Sequence, residues 1–106
     1  MRTIVIFGHE AAARAVYQHV DASLRKRSIS DVAIVFTLTV DAPTAESLRD
    51  SGGELWFCGP AECTPSEWGG AGADRAHRQL RAATWVELQA RTALAVREFL
   101  QPGTAP

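Results

Sequence analysis

The sequence predicts a three-layer α/β domain, with three or four mostly parallel strands flanked by three main helices. Three observations lead there. The apolar, β-branched run Thr3-Ile4-Val5-Ile6-Phe7 stops at Gly8 and gives way to residues with helical spacing. Two more short apolar runs, Val32 to Thr39 and Glu54 to Cys58, each follow a helical stretch. Strand, helix and strand in alternation require parallel crossovers, which are right-handed almost without exception. The chain has 106 residues, 46% hydrophobic and 22% charged, which suits one core and is too short for two. Residues 1–101 are expected to form a single α/β domain and residues 102–106 a frayed tail.

The elements follow in order. Met1 to Phe7 is apolar, but it lacks a small-residue cleavage pattern and Gly8-His9-Glu10 interrupts it, so it reads as a strand and not a signal peptide. Over residues 10–27, Ala13, Val16, Tyr17, Val20 and Leu24 make one helical stripe. Glu10 opens this helix and Arg25-Lys26-Arg27 closes it, which matches the helix dipole at both ends. Val32 to Thr39 is long and continuous enough to suggest a strand covered on both faces. A short helix then starts at Asp41-Ala42-Pro43-Thr44, with Asp41 or Thr44 as cap, and ends at Gly52-Gly53. Glu54 to Cys58 is the third strand, ended by Gly59-Pro60. Residues 59–74 are the least regular part, with a possible turn of helix at Thr64-Pro65-Ser66-Glu67 and a mobile or ligand-facing look at Trp68-Gly69-Gly70-Ala71-Gly72. Residues 74–83 fit either a short edge strand or an extension of the last helix. That helix is capped by Thr84-Trp85-Val86-Glu87. Its stripe is Trp85, Leu88, Thr92, Val96 and Phe99 with Leu100, and it ends before Pro102.

Composition narrows the function classes. A net charge of −1 gives no general pull toward nucleic acid or an anionic membrane. No apolar run approaches the roughly 20 residues of a membrane span. Two cysteines, Cys58 and Cys63, are too few for a disulfide framework and have no partners at zinc-site spacing, so they read as a strand thiol and a loop thiol. A reducing, cytoplasmic location fits, and neither a metal nor a cofactor is expected.

Five residues stand out as candidates for ligand binding: Gly8, His9, Arg14, Asp41 and Trp68. A buried strand, a glycine and a helix start make the architecture of a phosphate loop. The full signature is G-x-x-x-x-G-K-[ST], whereas this window reads Gly8-His9-Glu10-Ala11-Ala12-Ala13-Arg14-Ala15. Only the first glycine matches; Arg14 replaces the lysine, Ala15 has no hydroxyl for Mg²⁺, and Glu10 places a negative charge beside the amides. The plain alternative is a tight turn into a helix. His9 and Asp41 sit at strand ends, where ligands of open α/β sheets bind. The plain roles are an exposed loop histidine and a helix cap. Trp68 is either a stacking surface or a lid packed on the sheet. Trp56 is expected in the core and Trp85 to pack at the helix start, His19 is expected to face solvent, and no catalytic Ser-His-Asp or Cys-His grouping can be assembled.

The order of these signals resembles the P-loop deoxynucleoside monophosphate kinases common in phages. The similar points are the opening strand with Gly8, the second strand followed by Asp41 to Leu48, the phrase Gly52-Gly53-Glu54-Leu55-Trp56, and Thr84-x-x-Glu87-Leu88 at the last helix. The resemblance implies a P-loop or Rossmann-like core. It departs from the family at the phosphate loop, at the basic residue after the second strand, and in the missing lid and monophosphate-binding insertion. It therefore implies a stripped core that has lost the kinase reaction. The leading expectation is a non-catalytic interaction module, of phage or prophage derivation, that acts on a host protein or self-associates. The alternatives are a nucleotide or anion binder using the Gly8 loop, with Arg14 supplying charge, and a small enzyme at the strand ends.

Overall fold

The computed structural model describes residues 2–101; Met1 and the expected frayed tail at 102–106 lie outside the described residues. Four strands, β1 (Arg2–Gly8), β2 (Val32–Phe36), β3 (Glu54–Pro60) and β4 (Arg78–Ala82), form one sheet in the order β2-β1-β3-β4. Every neighbouring pair is parallel. The helices are α1 (Glu10–Lys26), α2 (Ala42–Asp50), the single turn α3 (Pro65–Trp68) and α4 (Trp85–Leu100), with a 3₁₀ turn at Ala73–Arg75.

Two separate apolar clusters make this a three-layer structure. Side chains alternate along β1 and β3, so Ile4, Ile6, Trp56 and Cys58 face one way and Val5, Phe7, Leu55 and Phe57 the other. The first set packs under α1 and α4, through Ala13, Val16, Val20, Leu24, Leu88, Val96 and Phe99. The second packs under α2 and the 59–74 segment, through Ala45, Leu48, Cys63 and Ala73. Both central strands are therefore buried on two faces and read as continuous apolar runs.

The caps explain where the helices begin. Asp41 accepts a hydrogen bond from Thr44 N at 2.8 Å, with Pro43 in the first turn of α2. Thr84 accepts from Glu87 N at 3.1 Å at the start of α4. The basic triplet closes α1 as the dipole argument requires, with Arg25 and Lys26 in its last turn.

Two elements depart from the sequence reading, and at residues 78–82 the structure takes the edge-strand alternative. β2 ends at Phe36 and is an edge strand only half-buried along its length, because among the described residues no helix covers its α2-side face. Residues 78–82 pair with β3 as a strand and do not extend α4. His77 helps to place them, for its backbone N–H donates to Leu55 O at 2.7 Å and its Nδ1 accepts from Leu55 N at 3.0 Å. The glycine-rich stretch after Trp68 is packed down on the sheet. A Cβ on Gly69 would lie 2.5 Å from the Phe7 ring, so only glycine permits that approach.

At the amino-terminal ends of the strands, Glu54 gathers charge and aromatic edges together. It accepts from Arg78 Nε at 2.7 Å and from Trp56 Nε1 at 2.9 Å. Arg78 also donates to Glu98 on α4 at 2.6 Å. Burial alone would lower the Arg78 guanidinium's pKa, but its bonds to Glu54 and Glu98 outweigh that and hold it raised. Arg2 reaches the last turn of α4, donating to Phe99 O at 2.9 Å. These bonds tie this end of the sheet to α4. No described helix is long and apolar enough to cross a membrane.

Candidate functional site

The path of the chain creates a crevice at the carboxyl ends of the strands. From β1 it passes through α1 on one face of the sheet to β2. From β3, on the other side of β1, it passes into the 59–74 segment on the opposite face. Neighbouring strands whose exits go to opposite faces leave a gap outside their carboxyl ends, the usual ligand position in such sheets. Here a cavity of about 260 Å³ opens beside that gap. Its walls are the first turn of α1 (His9, Ala11 and Ala12), the end of β3 (Gly59 and Pro60) and the β4–α4 junction.

Gly8 makes the turn at the end of β1 possible. Its φ is +121°, and a Cβ there would stand 2.5 Å from the Cys58 carbonyl oxygen. The next amide, His9 N–H, donates to that same carbonyl at 3.0 Å, so the turn is locked to β3. His9 is the N-cap of α1 but gives no side-chain cap, which leaves the first-turn amides of Glu10, Ala11 and Ala12 without one. Its ring stands edge-on to Trp68, with centroids 5.1 Å apart. Its Nδ1 is buried and has no hydrogen-bond partner. A buried polar atom left unpaired costs roughly 1–3 kcal/mol.

The remaining candidates lie apart. Arg14 is one turn further along α1, bonded to Glu10 at 2.7 Å, with its guanidinium over the Phe36 ring at 5.3 Å. It borders a shallow outer hollow of about 620 Å³ and not the crevice itself. Asp41 serves as the α2 cap, and its bond with Thr44 holds the carboxyl below the usual aspartate range. Trp68 is half exposed and supports His9 without lining the cavity. Gly8, His9 and Trp68 thus come together, and Arg14 and Asp41 do not join them. His19 is half-buried and lines a groove between α1 and α4, where the helical spacing suggested solvent.

Sequence reasoning missed the far wall. Ala82, Ala83, Thr84, Trp85 and Leu88 close the crevice opposite His9. Trp85, expected to pack at the helix start, is 57% exposed and borders the crevice, the outer hollow and the α1–α4 groove. The signal was present in part: the capping pattern at Thr84 marks a helix start directly after a strand, which is where such sites form. The strand itself, residues 78–82, was the ambiguous element.

Neither cysteine adds chemistry to this end. Both are free and buried. Burial pushes the Cys58 thiol well above the ordinary thiol value. The Cys63 thiol is raised too, burial outweighing the opposing charge of Arg81. A colorimetric thiol assay should therefore find Cys58 unreactive in the folded protein and both thiols reactive in denaturant. Rapid native labelling of Cys58 would contradict the burial. Because the folded Cys58 thiol holds its proton more tightly than the unfolded one, its contribution to stability is intact below the ordinary thiol range and declines as pH rises above it. Among the described residues, no three His, Cys, Asp or Glu side chains cluster as a metal would require. Comparison with known proteins finds no family model, no curated protein and no solved structure that matches the chain.

Proposed function

We propose that the protein is a non-catalytic binding module whose crevice takes a small anion that joins a flat ring to one charged group, no larger than a nucleoside monophosphate. The observation that carries this reading is the uncapped first turn of α1 opening into a cavity beside the unpartnered Nδ1 of His9. Free amides at a helix start favour an anionic group. The exposed Trp85 ring offers a flat apolar surface for a heterocycle. At about 260 Å³ the cavity is at or below the lower end of small-molecule sites, which suits one ring with one charged group. No acidic side chain lines it, and Glu10, on the adjoining outer hollow, is paired with Arg14. On this reading the resemblance to the phage kinases describes a core that keeps a cleft and has shed the transferase machinery, with Ala13 and Ala15 where a glycine and a hydroxyl would stand.

Thermal unfolding with a panel of mononucleotides and inorganic phosphate tests the reading. Ligand at about 100 times its Kd stabilises the fold by about 2.7 kcal/mol, a rise of roughly 10 °C or more for a domain of this size. Trp85→Ala should remove most of that rise without lowering the unliganded Tm, since Trp85 is largely exposed. Arg14→Ala should leave the rise intact, because Arg14 borders the outer hollow. No stabilisation by any of these ligands at millimolar concentration would count decisively against the crevice.

A further inference from the structure

The two edges of the sheet are built differently. β4 carries Arg78 and Arg81, both engaged in hydrogen bonds, so its edge is charged. β2 carries Val32-Ala33-Ile34-Val35-Phe36, with no charge and no proline. Arg2 N donates to Asp31 O and Thr37 N donates to Ile6 O, so the odd-numbered residues of β2 turn their backbone groups toward β1. Val32, Ile34 and Phe36 therefore point their N–H and C=O groups outward. The side chains of these three pack on the α1 side. On the opposite face Val35 is 43% exposed, and just beyond the strand Leu38 is 46% exposed. Among the described residues nothing pairs with this edge, and an uncharged apolar edge is a template for another strand.

We infer that this edge pairs with the same edge of a second copy, in an antiparallel arrangement about a two-fold axis at Ile34. Two identical edges related by a two-fold axis must run antiparallel. With the axis at Ile34, the outward-facing residues meet in hydrogen-bonded pairs: Val32 with Phe36, Ile34 with itself, Phe36 with Val32. On the uncovered face the smaller Ala33 meets the larger Val35, twice. Small meets large at each mixed pair, and no charged side chain meets another. Asp31 falls opposite Thr37, which leaves the two Asp31 carboxylates about 20 Å apart along the strands. The edge is thus complementary to itself in hydrogen bonding, size and charge, which favours a second copy over an unrelated strand. The pairing joins two four-stranded sheets into one of eight and leaves both crevices at its rims.

Sedimentation velocity across a concentration series tests this, together with two double variants. Ala33→Glu with Val35→Glu, and Ala33→Lys with Val35→Lys, each place like charges opposite one another across the axis. The native chain should sediment as a dimer at high concentration, each double variant as a monomer, and an equimolar mixture of the two variants as a dimer again. Amide exchange at Val32, Ile34 and Phe36 in the native chain should slow as concentration rises, a readout that needs no variant. A native chain that remains monomeric at high concentration would overturn the inference. So would variants that dimerise as well as the native chain, or a dimer whose amides at Val32, Ile34 and Phe36 exchange as fast as in the monomer.

Discussion

Trp56→Ala should be the most damaging single substitution outside the turns, at about 3–5 kcal/mol in denaturant unfolding. Trp56 is fully buried on a central strand, edge-on to Phe99 with centroids 6.2 Å apart, and lies near the Arg78 guanidinium at 5.7 Å. Alanine would remove that packing between the sheet and α4, and it would leave Glu54 without its indole donor. Domains of this size have total stabilities of roughly 5–15 kcal/mol, so the variant would lose a large share of its margin. Trp56→Phe separates the two contributions. It keeps most of the apolar volume and loses only the indole N–H, and since Arg78 still satisfies Glu54 it should cost about 1 kcal/mol. Equal losses for the two variants would mean that packing against α4 contributes little.

Gly8→Ala should cost roughly 2–5 kcal/mol, for two reasons that add. The positive φ of +121° is strained for any residue with a Cβ. The added carbon would also press on the Cys58 carbonyl at 2.5 Å, and that oxygen is backbone and cannot swing aside. Relief requires β1 and β3 to separate where His9 N–H is bonded to the same carbonyl. The variant should therefore lose ligand binding as well as stability, because that separation moves His9 and the first turn of α1. A Gly8→Ala protein with native stability and an unaltered crevice would show that the turn is more pliant than its geometry implies.

Much of the fold was readable because it rests on local rules. The α1 stripe, the Asp41 and Thr84 caps and the apolar runs of β1 and β3 each follow from spacing or from one side chain. What failed to read depends on neighbours distant in sequence. Val32 to Phe36 is as apolar as a central strand, yet its place at the edge is set by the order of the sheet, which no residue of β2 encodes. Trp85 has the correct spacing for the buried stripe of α4. It is the first residue of that helix, however, and overhangs the carboxyl ends of the strands, so the crevice and not the core lies beneath it. Of the candidate site, Gly8 and His9 were legible because the strand-to-helix turn is contiguous. Arg14 lies one turn beyond Glu10 on the outer face of α1, where Glu10 and Phe36 engage it. The β4–α4 wall stayed hidden because the polar strand Arg78–Ala82 has a pattern that only its pairing with β3 resolves.

The most direct test of the crevice is a ¹H–¹⁵N correlation spectrum of the protein titrated with adenosine monophosphate and, separately, with inorganic phosphate. The amides of Glu10, Ala11, Ala12 and Thr84 and the Trp85 indole N–H should shift with the nucleotide, and phosphate alone should move the α1 amides without the indole. A spectrum that stays unchanged at millimolar ligand, or shifts confined to residues away from the carboxyl ends of β1, β3 and β4, would contradict the proposal.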